Sequence, residues 1–284
     1  MEIIERVKDA QSWADSIRSG NKTIGFVPTM GALHVAHSSL IERARRENDQ
    51  VIVSIFINPT QFGPDEDLDS YPRTFEEDKK LCSEGGADAI FYPAVEEMYG
   101  KGRNTTVCVD KITLNMCGKC RPGHFNGVAI VVAKLFNIVK PHRAYFGQKD
   151  YQQFRVIQDM VNDLDFDVEP VMCPIFREED GLAVSSRNKY LNEEERRQAA
   201  GISRALKKGE ELIKNGEQAA DVICSEMDQV VRESIPSCKI DYLGVFDTGI
   251  LEPVDVIDKE VVLAAAVWVG KARLIDNLLI KTDG

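Results

Sequence analysis

The feature that most constrains this chain is the stretch 50–57 (QVIVSIFI), which is apolar and β-branched or aromatic almost throughout. A strand with one wet face alternates apolar and polar residues. An unbroken apolar run reads instead as a strand buried on both faces, the mark of a parallel sheet covered by helices. Shorter runs of the same kind lie at 23–27 (TIGFV), 89–92, 143–146 and 168–172. They alternate with helical stretches at 38–47, 74–84, 128–139 and about 150–164. Such alternation predicts a Rossmann-like, doubly wound α/β fold with right-handed crossovers. Beyond Arg177 the texture changes. Asn192 followed by Glu193, Glu194 and Glu195 reads as an N-cap with a capping-box glutamate, opening a long helix to about Asn215. A second helix is predicted over 218–233, then three strand-like segments at 239–246, 261–269 and 273–280 with no helix between them. That order predicts a smaller α+β domain. The expected division is 1–175 and 176–284, with the boundary in the stretch 173–181.

The 284 residues suffice for two such domains. A net charge of -11 argues against a broad nucleic-acid footprint, which needs a basic face, but leaves room for a small anionic substrate. No stretch approaches the roughly 20 apolar residues of a membrane span. The start, Met1 to Arg6, lacks the apolar run of a signal peptide, so a cytoplasmic protein is expected. Seven cysteines, an odd number, read as reduced thiols. Cys117-Gly118-Lys119-Cys120 has the spacing of half a zinc site, but no second pair matches it; a loop carrying two thiols, with no metal, is the expectation.

In an open parallel sheet, ligands bind outside the carboxyl ends of the strands. Three of those ends carry polar residues beyond the needs of a turn: 28–37 (PTMGALHVAH), 58–62 (NPTQF) and 147–153 (GQKDYQQ). Two of the four histidines, His34 and His37, sit three apart where a helix begins, so both rings share one face near unpaired backbone N–H groups. Such a helix end attracts phosphates, and imidazoles there can donate to a phosphate whose charge grows in a transition state. The bland alternative is a pair of capping or core histidines. Lys149 can meet a phosphate and Asp150 a ribose hydroxyl, or the two can simply start a helix. The loop 180–188 (DGLAVSSRN) sets two hydroxyls beside Arg187, a mobile oxyanion clamp or a plain linker. No Walker-type Gly-Lys-Ser/Thr loop is present, so a nucleotide would be held differently from that of a P-loop enzyme.

Together these segments resemble the pantothenate synthetase (pantoate–β-alanine ligase) family, within the superfamily of nucleotidyltransferases and class I aminoacyl-tRNA synthetases. The superfamily's His-x-Gly-His signature is matched by 34–37 (HVAH) at both histidines. The narrower resemblance rests on 28–34 (PTMGALH), 54–62 (SIFINPTQF), 71–74 (YPRT), 121–128 (RPGHFNGV), 147–153 (GQKDYQQ), 180–188 (DGLAVSSRN) and 272–277 (ARLIDN), in order across the chain. It implies an ATP-dependent ligase of pantothenate biosynthesis that adenylates (R)-pantoate, with Mg²⁺ accompanying ATP, and then joins the adenylate to β-alanine. By the same resemblance His37, His34 and Lys149 are the catalytic candidates. Met30, Gly31, Ala32, Leu33, His34, Val35, Ala36 and His37 would cradle ATP with Gly147, Gln148, Lys149 and Asp150. Phe176 would pack near the adenine, and Val184, Ser185, Ser186 and Arg187 would cover the phosphates from a C-terminal lid domain. Gln61 and Gln153 would bind pantoate, and Gln61 would also touch β-alanine. The resemblance implies a homodimer. One residue departs from the signature: the family has glycine where this chain has Ala36, and a methyl there could crowd a phosphate or bar a positive φ.

Overall fold

The computed structural model describes residues 1–64, 66–102 and 104–281. Six parallel strands, β1 (Glu2–Ile4), β2 (Ile24–Thr29), β3 (Gln50–Ile55), β4 (Ala89–Phe91), β5 (Arg143–Gly147) and β6 (Glu169–Cys173), pair in the order β1-β4-β3-β2-β5-β6. The stretch 50–57 thus supplies an interior strand, and Val51 through Ile55 are all buried. The helices that precede β6 are α1 (Val7–Ser19), α2 (Val35–Glu47), α3 (Phe75–Glu84), α4 (Val95–Tyr99), α5 (Met116–Cys120), α6 (His124–Val139) and α7 (Tyr151–Asp163). Alternate residues of the strands serve opposite faces. Val27, Val51, Val53, Ile55 and Tyr145 pack with Leu40, Ile41 and Ala44 of α2 and Cys82 of α3. Phe26 points the other way and meets Phe136 of α6 edge-on, with ring centroids 6.5 Å apart. Burial on both faces explains why the strands read as continuous apolar runs.

The second half follows the predicted change of texture. Helices α8 (Glu193–Ala199), α9 (Gly201–Lys214) and α10 (Ala220–Ser234) precede an antiparallel sheet of β7 (Lys239–Asp247), β8 (Val261–Val269) and β9 (Ala272–Ile280). Ile202 and Leu206 of α9 and Ile223, Met227 and Val231 of α10 pack on Leu263, Val267 and Leu274 of the sheet. The single helix expected from Asn192 to Asn215 is two helices, broken at Ala200 where Gly201, a poor helix former, follows. Its predicted start holds: the Asn192 side chain accepts from Glu195 N–H at 2.9 Å, and Glu195 returns the bond at 2.9 Å.

The chain divides into two compact units, each interleaved in sequence. Unit 1 comprises Met1–Asp110, Arg121–Gly147 and Gln153–Pro174; unit 2 comprises Lys111–Cys120, Gln148–Gln152 and Ile175–Gly284, of which the last three residues lie outside those described. Among the described residues no helix is long and apolar enough to cross a membrane.

Candidate active site

Within unit 1, the strand order reverses at the β2–β5 pair, the place where open α/β sheets bind ligands. The loop leaving β2 reaches α2 through two consecutive left-handed residues, Gly31 (φ 85°) and Ala32 (φ 52°). A non-glycine residue there is strained and needs external support. Asp78 of α3 provides it: the buried carboxylate accepts from Ala32 N–H at 3.0 Å, from Leu33 N–H at 2.7 Å and from the Thr74 hydroxyl at 3.2 Å. In the sequence Asp78 is one of three acids opening a helix, and nothing local sets it apart from Glu76 and Glu77. Replacing Asp78 with alanine is expected to strip both amides of their acceptor, at roughly 1–3 kcal/mol for each. Urea denaturation checks this, and a loss below about 0.5 kcal/mol would contradict the role.

The histidine pair sits where that loop becomes α2. His34 is the N-cap and His37 the third helical residue, so the helix starts at Val35, three residues before the predicted start. The His34 backbone N–H donates to His37 Nδ1 at 3.2 Å, and the rings lie 4.1 Å apart between centroids, tilted by 42°. Because Nδ1 accepts, a neutral His37 carries its proton on Nε2. The helix cap therefore uses one nitrogen of the ring, Nδ1. Ala36 lies in the first turn of α2 and has no positive φ, so the backbone does not require glycine there. Crowding of a ligand is the only consequence of the methyl that remains.

Gln61 lies on the turn after β3, buried, with its Oε1 accepting from Asn58 Nδ2 at 3.0 Å and its Nε2 against Met30 Sδ at 3.0 Å. Its backbone carbonyl is held by the RPGH segment: His124 Nδ1 donates to it at 2.7 Å and Arg121 Nη2 at 3.4 Å. A carbonyl only accepts and a guanidinium only donates, so His124 carries its proton on Nδ1 and receives Arg121 Nη1 on Nε2 at 3.1 Å. Arg121 also pairs with Glu66 (Nε to Oε1 2.6 Å). Burial would raise the Glu66 carboxyl, but the Arg121 guanidinium outweighs it and holds the group below its ordinary value. Close approach of α6 to this turn depends on Gly127, whose Cβ would fall 2.2 Å from the Thr60 carbonyl oxygen. Gln153 is half-buried, and among the described residues no hydrogen bond joins it to Gln61. A cavity of about 570 Å³ also opens beside the β2 loop, lined by Met30, Gly31, Arg73, Phe75 and Asp78 among others. Gln61, which the resemblance assigns to pantoate, is not among its lining residues.

Within unit 2, Gln148, Lys149 and Asp150 form a single 3₁₀ turn directly after β5. Lys149 Nζ lies 3.7 Å from Asp150 Oδ2. The turn is fixed by Asn277 of β9, whose Nδ2 donates to the carbonyls of Gln148 at 2.9 Å and Lys149 at 3.0 Å. Next to Asn277, Asp276 is 4% exposed and takes a forked pair from Arg177, at 2.6 and 2.8 Å. Burial pushes the Asp276 carboxyl up against the pull of Arg177. Arg177 Nη1 also donates to the Gly181 carbonyl at 3.0 Å, so one guanidinium ties β9 to the start of the loop 180–188. That loop, read from sequence as either a mobile clamp or a plain linker, is tied within itself and to its flanks: Ser185 Oγ accepts from Arg187 N–H at 3.3 Å, Asn188 Nδ2 reaches Ala183 O at 3.2 Å, and Arg196 of α8 pairs with both Glu178 and Asp180. Phe176, just ahead of it, is 41% exposed, an aromatic face left bare, and its carbonyl accepts from Val184 N–H at 3.0 Å. Ser186 opens the following 3₁₀ turn. Among the described residues no group of three or more His, Cys, Asp or Glu could hold a metal ion.

Residues 2–279 match the family model described as pantoate-beta-alanine ligase. A pantothenate synthetase of Thermotoga petrophila is 55% identical over 280 residues, which is 99% of this chain and 100% of that protein. One of Thermosipho africanus is 51% identical over 280 residues, with the same coverage. Among solved structures, the pantothenate synthetase of Thermus thermophilus shares 44% identity and a TM-score of 0.92, covering 98% of this chain and 99% of that one. The pantoate-beta-alanine ligase of Francisella tularensis, solved in complex with beta-gamma ATP and beta-alanine, shares 34% identity and a TM-score of 0.79, covering 98% and 97%. With motifs, sheet order and full-length similarity in agreement, this chain belongs to the pantoate–β-alanine ligase family.

Proposed function

We propose that this ligase condenses (R)-pantoate with β-alanine through a pantoyl-adenylate intermediate, using Mg-ATP and releasing pyrophosphate and AMP. The observation that carries the reading is the histidine pair at the start of α2, where His37 uses Nδ1 to cap the helix and keeps its Nε2 proton as a donor. In the first step a pantoate carboxylate oxygen attacks the α-phosphorus, and the bond to pyrophosphate breaks. In the second, the β-alanine amine attacks the acyl carbon, loses a proton, and AMP leaves. Neither step needs a protein nucleophile. Both need positioned donors for the charge that gathers on phosphate oxygens.

In this reading His34 and His37 contact the ATP phosphates, His37 also donating its proton, and the stretch 30–37 follows the nucleotide with its backbone. Gly147 and Gln148 continue the cradle, Lys149 stands on phosphate, and Asp150 accepts from the ribose. Phe176 covers the adenine, with Val184, Ser185, Ser186 and Arg187 over the phosphates. Mg²⁺ would accompany ATP as its counter-ion and offset phosphate charge. Gln61 and Gln153 bind pantoate, Gln61 also meeting β-alanine, and the rigid mounting of the Gln61 carbonyl on His124 supports a fixed acceptor and donor there. A second copy of the chain, as the family resemblance implies, completes a homodimer.

The test is pyrophosphate release from ATP with pantoate present and β-alanine absent. One enzyme equivalent is expected, and strict dependence on β-alanine would count against the free adenylate. In the same assay Gln61→Ala and Gln153→Ala should each weaken pantoate use by roughly 1–3 kcal/mol, the cost of an unpaired buried polar group, with ATP binding nearly intact. Equal loss of ATP binding would show the glutamines to be misassigned.

A further inference from the structure

Unit 2 contains a cluster of reactive groups that the proposed chemistry leaves unused. Cys117 is buried and Cys120 exposed, both on α5. Two residues of helix lie between them, a spacing that places their Cα atoms about 5 Å apart, inside the span that a disulfide bridges. Arg273 of β9 reaches the buried sulfur, its Nη1 donating to Cys117 Sγ at 3.5 Å, while Cys120 Sγ lies 4.0 Å from the Asp241 carbonyl oxygen. Asp241 of β7 fixes the guanidinium at 2.7 Å, and Tyr242 Oη lies 3.3 Å from Cys117 Sγ. The cation of this cluster is therefore already present as an arginine. That disfavours a second cation between the sulfurs.

We propose that Cys117 and Cys120 form a reversible dithiol, and that its oxidation to an intrachain disulfide loosens the segment 148–152. The coupling is visible in the hydrogen bonds. Cys117 N–H donates to Gln152 Oε1 at 2.8 Å, and Gln152 Nε2 donates to Ile112 O at 2.8 Å and Asn115 O at 2.9 Å. Gln152 is 4% exposed and stands two residues after Asp150. The thiol segment has little slack: Met116 is held at φ 51°, and a Cβ on Gly118 would fall 1.9 Å from the Thr113 carbonyl oxygen. Turning Cys117 Sγ from Arg273 towards Cys120 thus shifts the backbone that Gln152 grips. The consequence for ATP rests on the role proposed above for Lys149 and Asp150.

The oxidant is a low-molecular-weight disulfide such as oxidised glutathione. The exposed Cys120, as thiolate, attacks one of its sulfurs; the reagent's S–S bond breaks and one thiolate leaves. Cys117 gives up its proton to water and attacks the Cys120 sulfur, expelling the second thiolate. Two electrons pass to the reagent, which ends as two thiols. Burial and the Asp241 carboxylate hold the Cys120 thiol above its ordinary value, with Arg273 partly offsetting them, so the first step is slow.

The full chain is equilibrated in glutathione mixtures of graded redox ratio, quenched with an alkylating agent in denaturant, and read by peptide mass spectrometry. Cys117 and Cys120 should become protected together, with the loss of two hydrogens, while the exposed Cys108 stays alkylated; dithiothreitol should reverse the change. Binding of ATP, followed by calorimetry, should weaken roughly three- to tenfold on oxidation, the equivalent of about one hydrogen bond. Cys120→Ser should abolish both effects and leave the activity of the reduced enzyme unchanged. A stable glutathione adduct on Cys120 with Cys117 still alkylated would overturn the dithiol. An intact disulfide with unchanged ATP affinity would overturn the coupling. The mass readout does not depend on turnover, so failure of the ligase reading would leave it standing.

Discussion

Adenylation by a His37→Ala variant is expected to fall by roughly 10²–10³, the usual effect of losing one oxyanion donor. The fall should appear in single-turnover rate far more than in the Kd for ATP, because a donor speeds a step only through stronger contact in the transition state. The same change removes the ring that accepts from His34 N–H, so a stability loss of about 1 kcal/mol accompanies it. Both quantities are measured on one preparation, by rapid-quench adenylation and by thermal unfolding. If His37 only caps α2, the stability loss appears alone, and near-normal adenylation would sink the catalytic role. Ala36→Gly belongs in the same series. The residue has an ordinary helical backbone, so any gain in rate reports relief of crowding at phosphate rather than relief of strain.

The largest effect on stability is expected at Arg177. Truncation to alanine leaves the Asp276 carboxylate buried without its forked partner, and breaking a buried pair in this way typically costs about 3–5 kcal/mol. The deficit depends on pH in a defined sense. Burial raises Asp276 in the folded chain, so the proton is bound more tightly there than in the unfolded chain. The stability this lends is fully present below the unfolded value and is lost as pH rises through the folded one. Without Arg177 the folded value climbs further, so the variant's deficit should shrink as pH is lowered from about 8 towards 5. Denaturant titrations of Arg177→Ala across that range test the point; a deficit independent of pH would show that lost packing, not a stranded charge, is responsible. An Arg177→Met, Asp276→Leu double variant should recover most of the stability, since removing both charges leaves none unpaired.

Much of the sheet was legible because burial on both faces writes itself into local sequence. Strand β3 shows this most plainly, where Val51, Ile52 and Val53 leave no polar alternation to interpret. Short edge elements carry less signal, and β1, three residues long, went unread. Helix α1 did leave a pattern, with Val7, Ala10, Ala14 and Ile17 at helical spacing, but weak hydrophobicity at its two alanines masked it. The start of α2 was placed late because histidine is not among the usual capping residues. The segments that mark the family were legible as motifs, and the contacts that hold them in place were not. Asp78 acts on amides 45 and 46 residues away, and His124 holds a carbonyl 63 residues away. No local pattern encodes pairings of that kind. They emerge only when packing has placed the partners.

The grip of Asn277 on the turn at Gln148 and Lys149 spans 129 and 128 residues of chain. During synthesis the ribosome delivers β5 and its turn long before β9. At ordinary translation rates of about 5–20 residues per second, the delay is of the order of ten seconds. Throughout that interval the turn has its sequence but not its anchor, and the carbonyls that Asn277 will hold face water. The nascent chain can therefore complete its first sheet without presenting Lys149 in its final position. On the role proposed for Lys149, competence for nucleotide is expected to be a late event in the life of each molecule, awaiting the arrival of one asparagine on the last strand.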